Sequence, residues 1–355
     1  MLQAAQVAYD TQLLLAALSG TLPSNVAESS IDVPTLTGKL SSGMSSNSCL
    51  ASAMRSKGVP YPFTNNKDGI VTIFLLDMEG TVAPMSYSRK VMFPQLIAHI
   101  EDFVESNYPN LAAESQYLKP ACARSAELKK AVEEDMADNY TNAALTAKAK
   151  QLLSAHMREE TEKMSVMPYV KQFQGDAWAD WVARQDAKVK TRVFSDFVEF
   201  VKERGARGAQ DVSRVFMYST GSIKAQETLL SHTQAGNLLP FVSGLIDCSM
   251  VGSKLAPGSY SKIRSHISAV TGLPKDRLRV IFCTDNPSEA SAADTSGAVE
   301  SSILVIRPGN DWVNLDTFMA VAAPHVCSFA QLMGSVRTVD YKGLTDEVKD
   351  LLEMP

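Results

Sequence analysis

IVTIFLLDMEGT, residues 70–81, is the stretch whose reading decides the fold. Its first seven residues, IVTIFLL, are apolar or β-branched without interruption, bounded by KDG before and by DMEG after. An unbroken run of this length, with no polar alternation, is the pattern of a strand buried on both faces, as in the interior of a parallel sheet. Working outward, three similar runs follow: RVFMYS at 214–219, RVIFCTD at 279–285 and SILVIRPG at 302–309. Helical patterns lie between them, IKAQETLLSH at 223–232, SYSKIRSHISAVTG at 259–272 and PSEASAADTSG at 287–297, the second closed by Gly272 as a C-cap. Strands alternating with helices predict an α/β fold, a doubly wound parallel sheet. Such sheets bind ligands beyond the carboxyl ends of their strands.

The stretch 88–205 has a different texture. LIAHIEDFVESNY, SAELKKAVEEDMADNY and SDFVEFVKERG carry apolar residues three and four apart with charges between, which predicts helices with one buried face. We read 88–205 as an inserted helical cap domain, and 66–87 with 206–355 as the core domain. Placed just after the first strand, the cap stands over the carboxyl edge of the sheet, where it can close on a substrate and exclude water. The 355-residue length fits a core with one such insertion. Residues 1–65 read as an N-terminal arm. A short helix is expected over 2–18, and 19–56, rich in Ser, Thr, Pro and Asn, reads as extended or disordered, with a transit or regulatory tail as the alternative.

Bulk composition narrows the function classes. With 45% apolar and 21% charged residues, and no run near the roughly 20 apolar residues of a membrane span, the chain reads as soluble. A formal charge of -5, from 34 basic and 39 acidic residues, argues against a nucleic-acid partner and for a small-molecule one. Cys49, Cys122, Cys248, Cys283 and Cys327 are scattered without a CxxC pair, against a disulfide framework or structural zinc. The apolar run Leu13 to Leu18 has Asp10 ahead of it and no Lys or Arg before Lys39, unlike a secretory or mitochondrial signal. The expected setting is the cytoplasm, with the nucleus as an alternative. No heptad run or apolar edge stands out, so a monomer is expected.

The chemistry gathers at the strand ends. Asp77 and Glu79 leave the first strand two residues apart and, in extended geometry, point to the same side. Carboxylates that close need a proton or a cation to coexist, and magnesium, a hard ion with oxygen ligands, meets that need. A carboxylate can attack phosphorus while a second acid protonates the leaving oxygen and later deprotonates water. Taken alone, such a pair is also compatible with a loop Asp capping the next helix. The second run leads into Ser219, Thr220, Gly221 and Ser222 at a helix start, a place suited to phosphate and equally to an ordinary N-cap. The third ends on Thr284 and Asp285, the latter a metal ligand or a turn residue. Lys254, after GLIDCSMV, can neutralise both nucleophile and phosphate, or lie on the surface. Four such signals in one chain order define a phosphoryl-transfer site.

This ordered set resembles the haloacid dehalogenase superfamily of aspartate-nucleophile phosphatases. Asp77-Met78-Glu79-Gly80-Thr81 with Pro84 is similar to the signature of its enolase-phosphatase (acireductone synthase) family, which carries Glu where most of the superfamily has Asp. Tyr218 to Ser222 with Ala225-Gln226, then Ser231-His232, Gly236, Leu238-Leu239, Ser243-Gly244 and Asp247, continue the resemblance, as do Ser259 to Ile263, Thr284-Asp285 with Glu289-Ala290, and Arg307-Pro308-Gly309-Asn310. Within the insertion, Gln174-Gly175 with Trp178, and Phe194 with Asp196, look like that family's cap helices. The resemblance spans about 69–332 and leaves the arm outside. Val82 and Ala83 stand where the family has threonines, and RQDAKVK at 184–190 differs from its cap sequence.

The resemblance implies Asp77 as nucleophile and metal ligand, Glu79 as acid/base and main-chain ligand, Ser219, Thr220 and Gly221 with Lys254 at the phosphate, and Asp285 completing a Mg2+ site. It implies a bifunctional reaction in methionine salvage, enolisation of 2,3-diketo-5-methylthiopentyl-1-phosphate followed by hydrolysis to acireductone and phosphate. Metal and Lys254 are expected to polarise the diketone, with Glu79 the candidate base. The alternatives are a phosphatase acting on another small phosphorylated metabolite and a catalytically silent binding protein.

Overall fold

The computed structural model of the protein describes residues 47–59, 61, 63, 69–114, 116–185, 188–206, 212–310, 324–334 and 346–347. The strand that opened the reading, β1 (Val71–Leu76), is buried at every position. It has neighbours on both sides, β2 (Ser213–Ser219) and β4 (Leu278–Thr284), both parallel to it. With β3 (Gly244–Asp247), β5 (Ser301–Val305) and β6 (His325–Val326), the sheet order is β3-β2-β1-β4-β5-β6. Alternate side chains of β1 feed two separate cores, as the two-residue period of a strand requires. Phe74 and Leu76 belong to one. Val71, Ile73 and Leu75 belong to the other, with Tyr260, Ile263 and Ile267 of α10 (Pro257–Thr271). Gly272 ends α10 at φ 70°, as its C-capping role predicts.

β3 and β6 were not anticipated. Each is short and at or near a sheet edge, and four or two residues carry too little pattern to separate a strand from an apolar loop.

The insertion begins with a turn at Met85–Tyr87 and a π-helical turn at Ser88–Met92. These run into α2 (Phe93–Glu114), followed by α3 (Leu118–Cys122), α4 (Ala126–Ala137), α5 (Ala143–Glu162) and α6 (Pro168–Arg184). Ser125 and Asn142 accept N–H groups at the starts of α4 and α5. Phe173 of α6 meets Phe103 and Tyr117 edge-on at 5.4 and 5.3 Å. The last helix expected in the cap, α7 (Ser195–Gly205), packs on the sheet instead. Its Phe200 lies 5.0 Å from Phe74 of β1 and 5.0 Å from Phe329. On this packing we propose that the cap ends on the N-terminal side of α7 rather than at 205. Amphipathic periodicity is the same in cap and core helices, so only packing assigns them.

A second correction falls within the arm. Residues 47–56, expected as extended or disordered, form α1 (Asn47–Ser56), whose Leu50 and Met54 are buried in the first core, and Phe63 packs on Phe74 at 5.4 Å. An apolar pair four residues apart is diluted when composition is averaged over a long Ser-rich segment. The rest of the arm, including the helix expected at 2–18, lies outside the described residues. Among the described residues no helix is long and apolar enough to cross a membrane.

Candidate active site

Pairing registers bring the chemical residues to one edge. Leu76, the last residue of β1, stands opposite Met217 and Cys283, so the residues that follow these three positions leave the sheet side by side. Asp77 extends the ladder one step, its N–H donating to the Cys283 carbonyl at 2.9 Å. Its carboxylate turns inward, where Oδ1 accepts the Met78 N–H at 2.7 Å and the Lys254 ammonium. Lys254 is buried and also donates to Glu289 Oε2 at 3.2 Å. Burial alone would lower the pKa of this ammonium, but Asp77 and Glu289 outweigh it and hold the group charged. The loop carrying Lys254 is fixed from behind by Tyr260, whose hydroxyl donates to the Lys254 carbonyl at 2.7 Å, and by Tyr218, which donates to the Gly252 carbonyl at 3.0 Å.

Asp285 joins the cluster from β4. Burial, then the charges of Asp77 and Glu289, raise its pKa well above the usual carboxylate range. Its Oδ2 is buried without a hydrogen-bond partner. Gly80 closes over it at φ 77°, where a Cβ would collide with Asp285 Oδ2. Thr284 donates to Glu289 Oε2 at 2.8 Å, and burial raises the Glu289 pKa in the face of Lys254. Three buried acids therefore share one lysine. That charge imbalance, with an orphaned carboxylate oxygen facing the motif loop, suits a divalent cation. Among the described residues no three His, Cys, Asp or Glu side chains converge as a metal-binding group.

Ser219 ends β2, buried, with its Oγ accepting the Gly221 N–H at 3.1 Å. Among the described residues its hydroxyl donates no hydrogen bond. Thr220 and Gly221 are partly exposed on the same turn. Ser222 then caps α8 (Ile223–Ser231), accepting the Ala225 N–H at 3.3 Å, so the loop combines a hydroxyl with a helix N-terminus. Gln226 braces it by donating to the Gly221 and Ile246 carbonyls at 3.1 and 3.0 Å. Asp247, at the end of β3, accepts the Ile223 N–H at 3.1 Å and caps α9 (Cys248–Val251) by accepting the Ser249 and Met250 N–H groups at 2.9 and 3.1 Å.

The motif loop is held by distant residues. Arg307 donates to the Thr81 carbonyl at 3.1 Å while clasping both oxygens of Asp196 at 2.8 Å each, and Asn310 donates to the Gly80 carbonyl at 2.8 Å. Phe194 donates its N–H to the Val82 carbonyl at 3.0 Å. Val82 and Ala83 themselves are buried in the first core, so their departure from threonine falls on packing. Asp196, expected in the cap, belongs to this strut.

Two residues of the site escaped the sequence reading as functional groups. Glu289 lies in the first turn of α11 (Pro287–Thr295), and an acid one turn past Asp285 was the available signal. Lys171, on α6, is half-buried, and its Nζ lies 5.5 Å from the Phe93 ring centroid. Burial lowers its pKa, opposed by the nearby Glu79 and Cys248. A lysine on an amphipathic helix carries no sequence signal beyond a solvated face. The cap brings it there because α6 docks on α8 at Gly175, where a Cβ would collide with Ser222 Oγ and lie 3.1 Å from the Ala225 nitrogen.

No family model matches the chain. Among curated proteins it is similar to enolase-phosphatase E1 of Yarrowia lipolytica, 31% identical over 237 residues, covering 66% of this chain and 89% of that protein. It is 30% identical to enolase-phosphatase E1 of Aquifex aeolicus over 251 residues, covering 70% of this chain and 98% of that protein. Among solved structures, the UTR4 protein of Saccharomyces cerevisiae is 26% identical, covering 73% of this chain and 98% of that one, with a TM-score of 0.46.

Proposed function

The chain belongs to the enolase-phosphatase family, and on that premise we propose that it converts 2,3-diketo-5-methylthiopentyl-1-phosphate to acireductone and phosphate, with Asp77 as the nucleophile. The observation that carries this reading is the joining of Asp77, Lys254, Asp285 and Glu289 in one buried cluster at the carboxyl edge of the sheet. Asp77 attacks phosphorus and forms an aspartyl phosphate, while Lys254 offsets charge on nucleophile and phosphoryl group. Ser219, with Thr220 and the Gly221 N–H, takes the phosphate oxygens. Glu79 gives a proton to the leaving oxygen, then takes one from the water that hydrolyses the aspartyl phosphate. Asp77, Asp285 and the Glu79 main-chain carbonyl would hold magnesium, which when bound supplies positive charge against the phosphoryl oxygens.

On this reading the protein acts as a monomer on a small phosphorylated substrate. The setting we propose for it is the cytoplasm, on the scattered cysteines of the sequence.

The test is phosphate release from the diketone phosphate with and without magnesium, following acireductone by its ultraviolet absorbance, in wild type and Asp77→Asn. Metal-dependent formation of both products, abolished by the substitution, is expected. Release from other phosphate esters alone would replace the substrate with another phosphorylated metabolite, and no turnover of any ester would overturn the enzymatic reading.

A further inference from the structure

Gly80 ties the motif loop to the acid cluster. It lies at φ 77°, a conformation natural to glycine, and so close to Asp285 that a Cβ would meet Oδ2. Both of its peptide groups are held. Its N–H donates to the Ala83 carbonyl at 2.8 Å. Because the peptide bond is planar and trans, the Glu79 carbonyl then points the opposite way, away from Ala83. The Gly80 carbonyl accepts from Asn310 Nδ2 at 2.8 Å. The first bond is local to the loop, whereas the second reaches across 230 residues of sequence. Asn310 is delivered by the sheet. β5 runs parallel beside β4, with Leu304 opposite Thr284, so the chain that leaves β5 emerges next to Asp285. There it turns, with Gly309 at φ 84° and the Asn310 N–H donating to the Arg307 carbonyl at 3.3 Å. The turn brings the Asn310 amide onto Gly80. The two polar side chains against that glycine, Asp285 and Asn310, each leave an oxygen, Oδ2 and Oδ1, buried without a hydrogen-bond partner. Buried oxygens are seldom left so, and a magnesium ion that keeps several of its waters offers both charge and O–H donors to such atoms.

We infer that Asn310 is a positioning residue for the magnesium site: its amide fixes the Gly80 carbonyl, and with it the loop that presents the Glu79 carbonyl beside Asp285, while its free oxygen accepts from water that the cation carries. This rests on the magnesium assignment above. A glycine left to itself samples many conformations. When only a fraction of molecules holds the loop in its binding form, the apparent dissociation constant rises by the inverse of that fraction. The Asn310 bond removes that loss by holding the loop before the cation arrives. Arg307 holds the next carbonyl, that of Thr81, but its guanidinium also clasps Asp196 and the Cys327 carbonyl and so serves the wider fold. Asn310 acts on Gly80 directly.

The experiment titrates magnesium calorimetrically into metal-free wild type, Asn310→Leu and Asn310→Ser. The urea midpoint of each is measured without metal, and hydrolysis of p-nitrophenyl phosphate is followed against magnesium concentration. Asn310→Leu keeps the side-chain volume without donor or acceptor, and Asn310→Ser keeps a shorter donor. One hydrogen bond of this kind is worth about a factor of ten in an equilibrium constant. The magnesium dissociation constant of Asn310→Leu is expected to rise by about that factor, with Asn310→Ser between it and the wild type. The magnesium needed for half-maximal hydrolysis should rise in step, by more than kcat falls. A merely structural Asn310 would lower the urea midpoint and leave the magnesium dissociation constant where it was, which would overturn the inference. A fall in kcat that accounts for the whole effect would do the same. If Asn310→Leu does not fold, the constant of Asn310→Ser decides by the same criterion. Wild type that binds no magnesium would overturn the metal reading and this inference together, whereas magnesium bound equally by wild type and variants overturns the inference alone.

Discussion

Two residues past Asp77, the Glu79 side chain is only half-buried, and among the described residues no hydrogen bond holds its carboxylate. Asp77, by contrast, is pinned by Lys254 and by the Met78 N–H. A nucleophile gains from a fixed line of attack, whereas an acid/base that serves a leaving oxygen and then a water needs room to follow each. Glu79→Gln should therefore lower phosphate release by about 10²- to 10⁴-fold without loss of folding. An unchanged steady-state rate would remove Glu79 from the mechanism. Sequence reasoning reached Asp77, Glu79, Ser219, Lys254 and Asp285 because each directly follows, or is spaced closely after, an apolar run. Glu289 and Lys171 sit inside helical patterns, where a charged residue is usual.

At the scale of elements, the contact between α6 and α8 links cap to phosphate loop. The helices come so close at Gly175 that the place of a side chain is taken by Ser222, the N-cap of α8. Gly175→Ala must push the cap outward or dislodge that capping hydroxyl. Because displacements near 1 Å can cost on the order of 10²-fold in rate, kcat/KM for the diketone phosphate should fall by about that factor while circular dichroism stays that of the wild type. Adding Ser222→Gly removes the obstructing hydroxyl at a capping cost of only a few tenths of a kcal/mol. It should recover part of the loss, and a double variant no better than the single one would dissociate the effect from this contact.

Across the whole molecule, Arg307 joins regions far apart in the chain. It reaches the Thr81 carbonyl in the motif loop, Asp196 on α7 and the Cys327 carbonyl by β6, with its guanidinium 4.1 Å from the Phe194 ring. Burial disfavours the charge on Asp196, but Arg307 more than compensates and holds its pKa below the usual value. Arg307→Met leaves that carboxylate buried and unpaired, a change expected to cost about 3–5 kcal/mol and to shift the denaturant midpoint downward. Arg307→Met with Asp196→Leu should regain much of it, since removing both partners leaves no buried charge. The sequence by itself determined that a parallel α/β core is present, where four of its strands run, and which acids, hydroxyls and lysine stand at their ends. It could do so because burial on both strand faces leaves an unbroken apolar run and because parallel strands all end on the same edge. Only the tertiary structure decided that α1 is part of the core, that α7 packs on the sheet, and that Glu289 shares Lys254 with Asp77. These are pairings between residues far apart in the chain, set by how helices pack, and a local period of 3.6 residues reports that a helix has a buried face without saying against what.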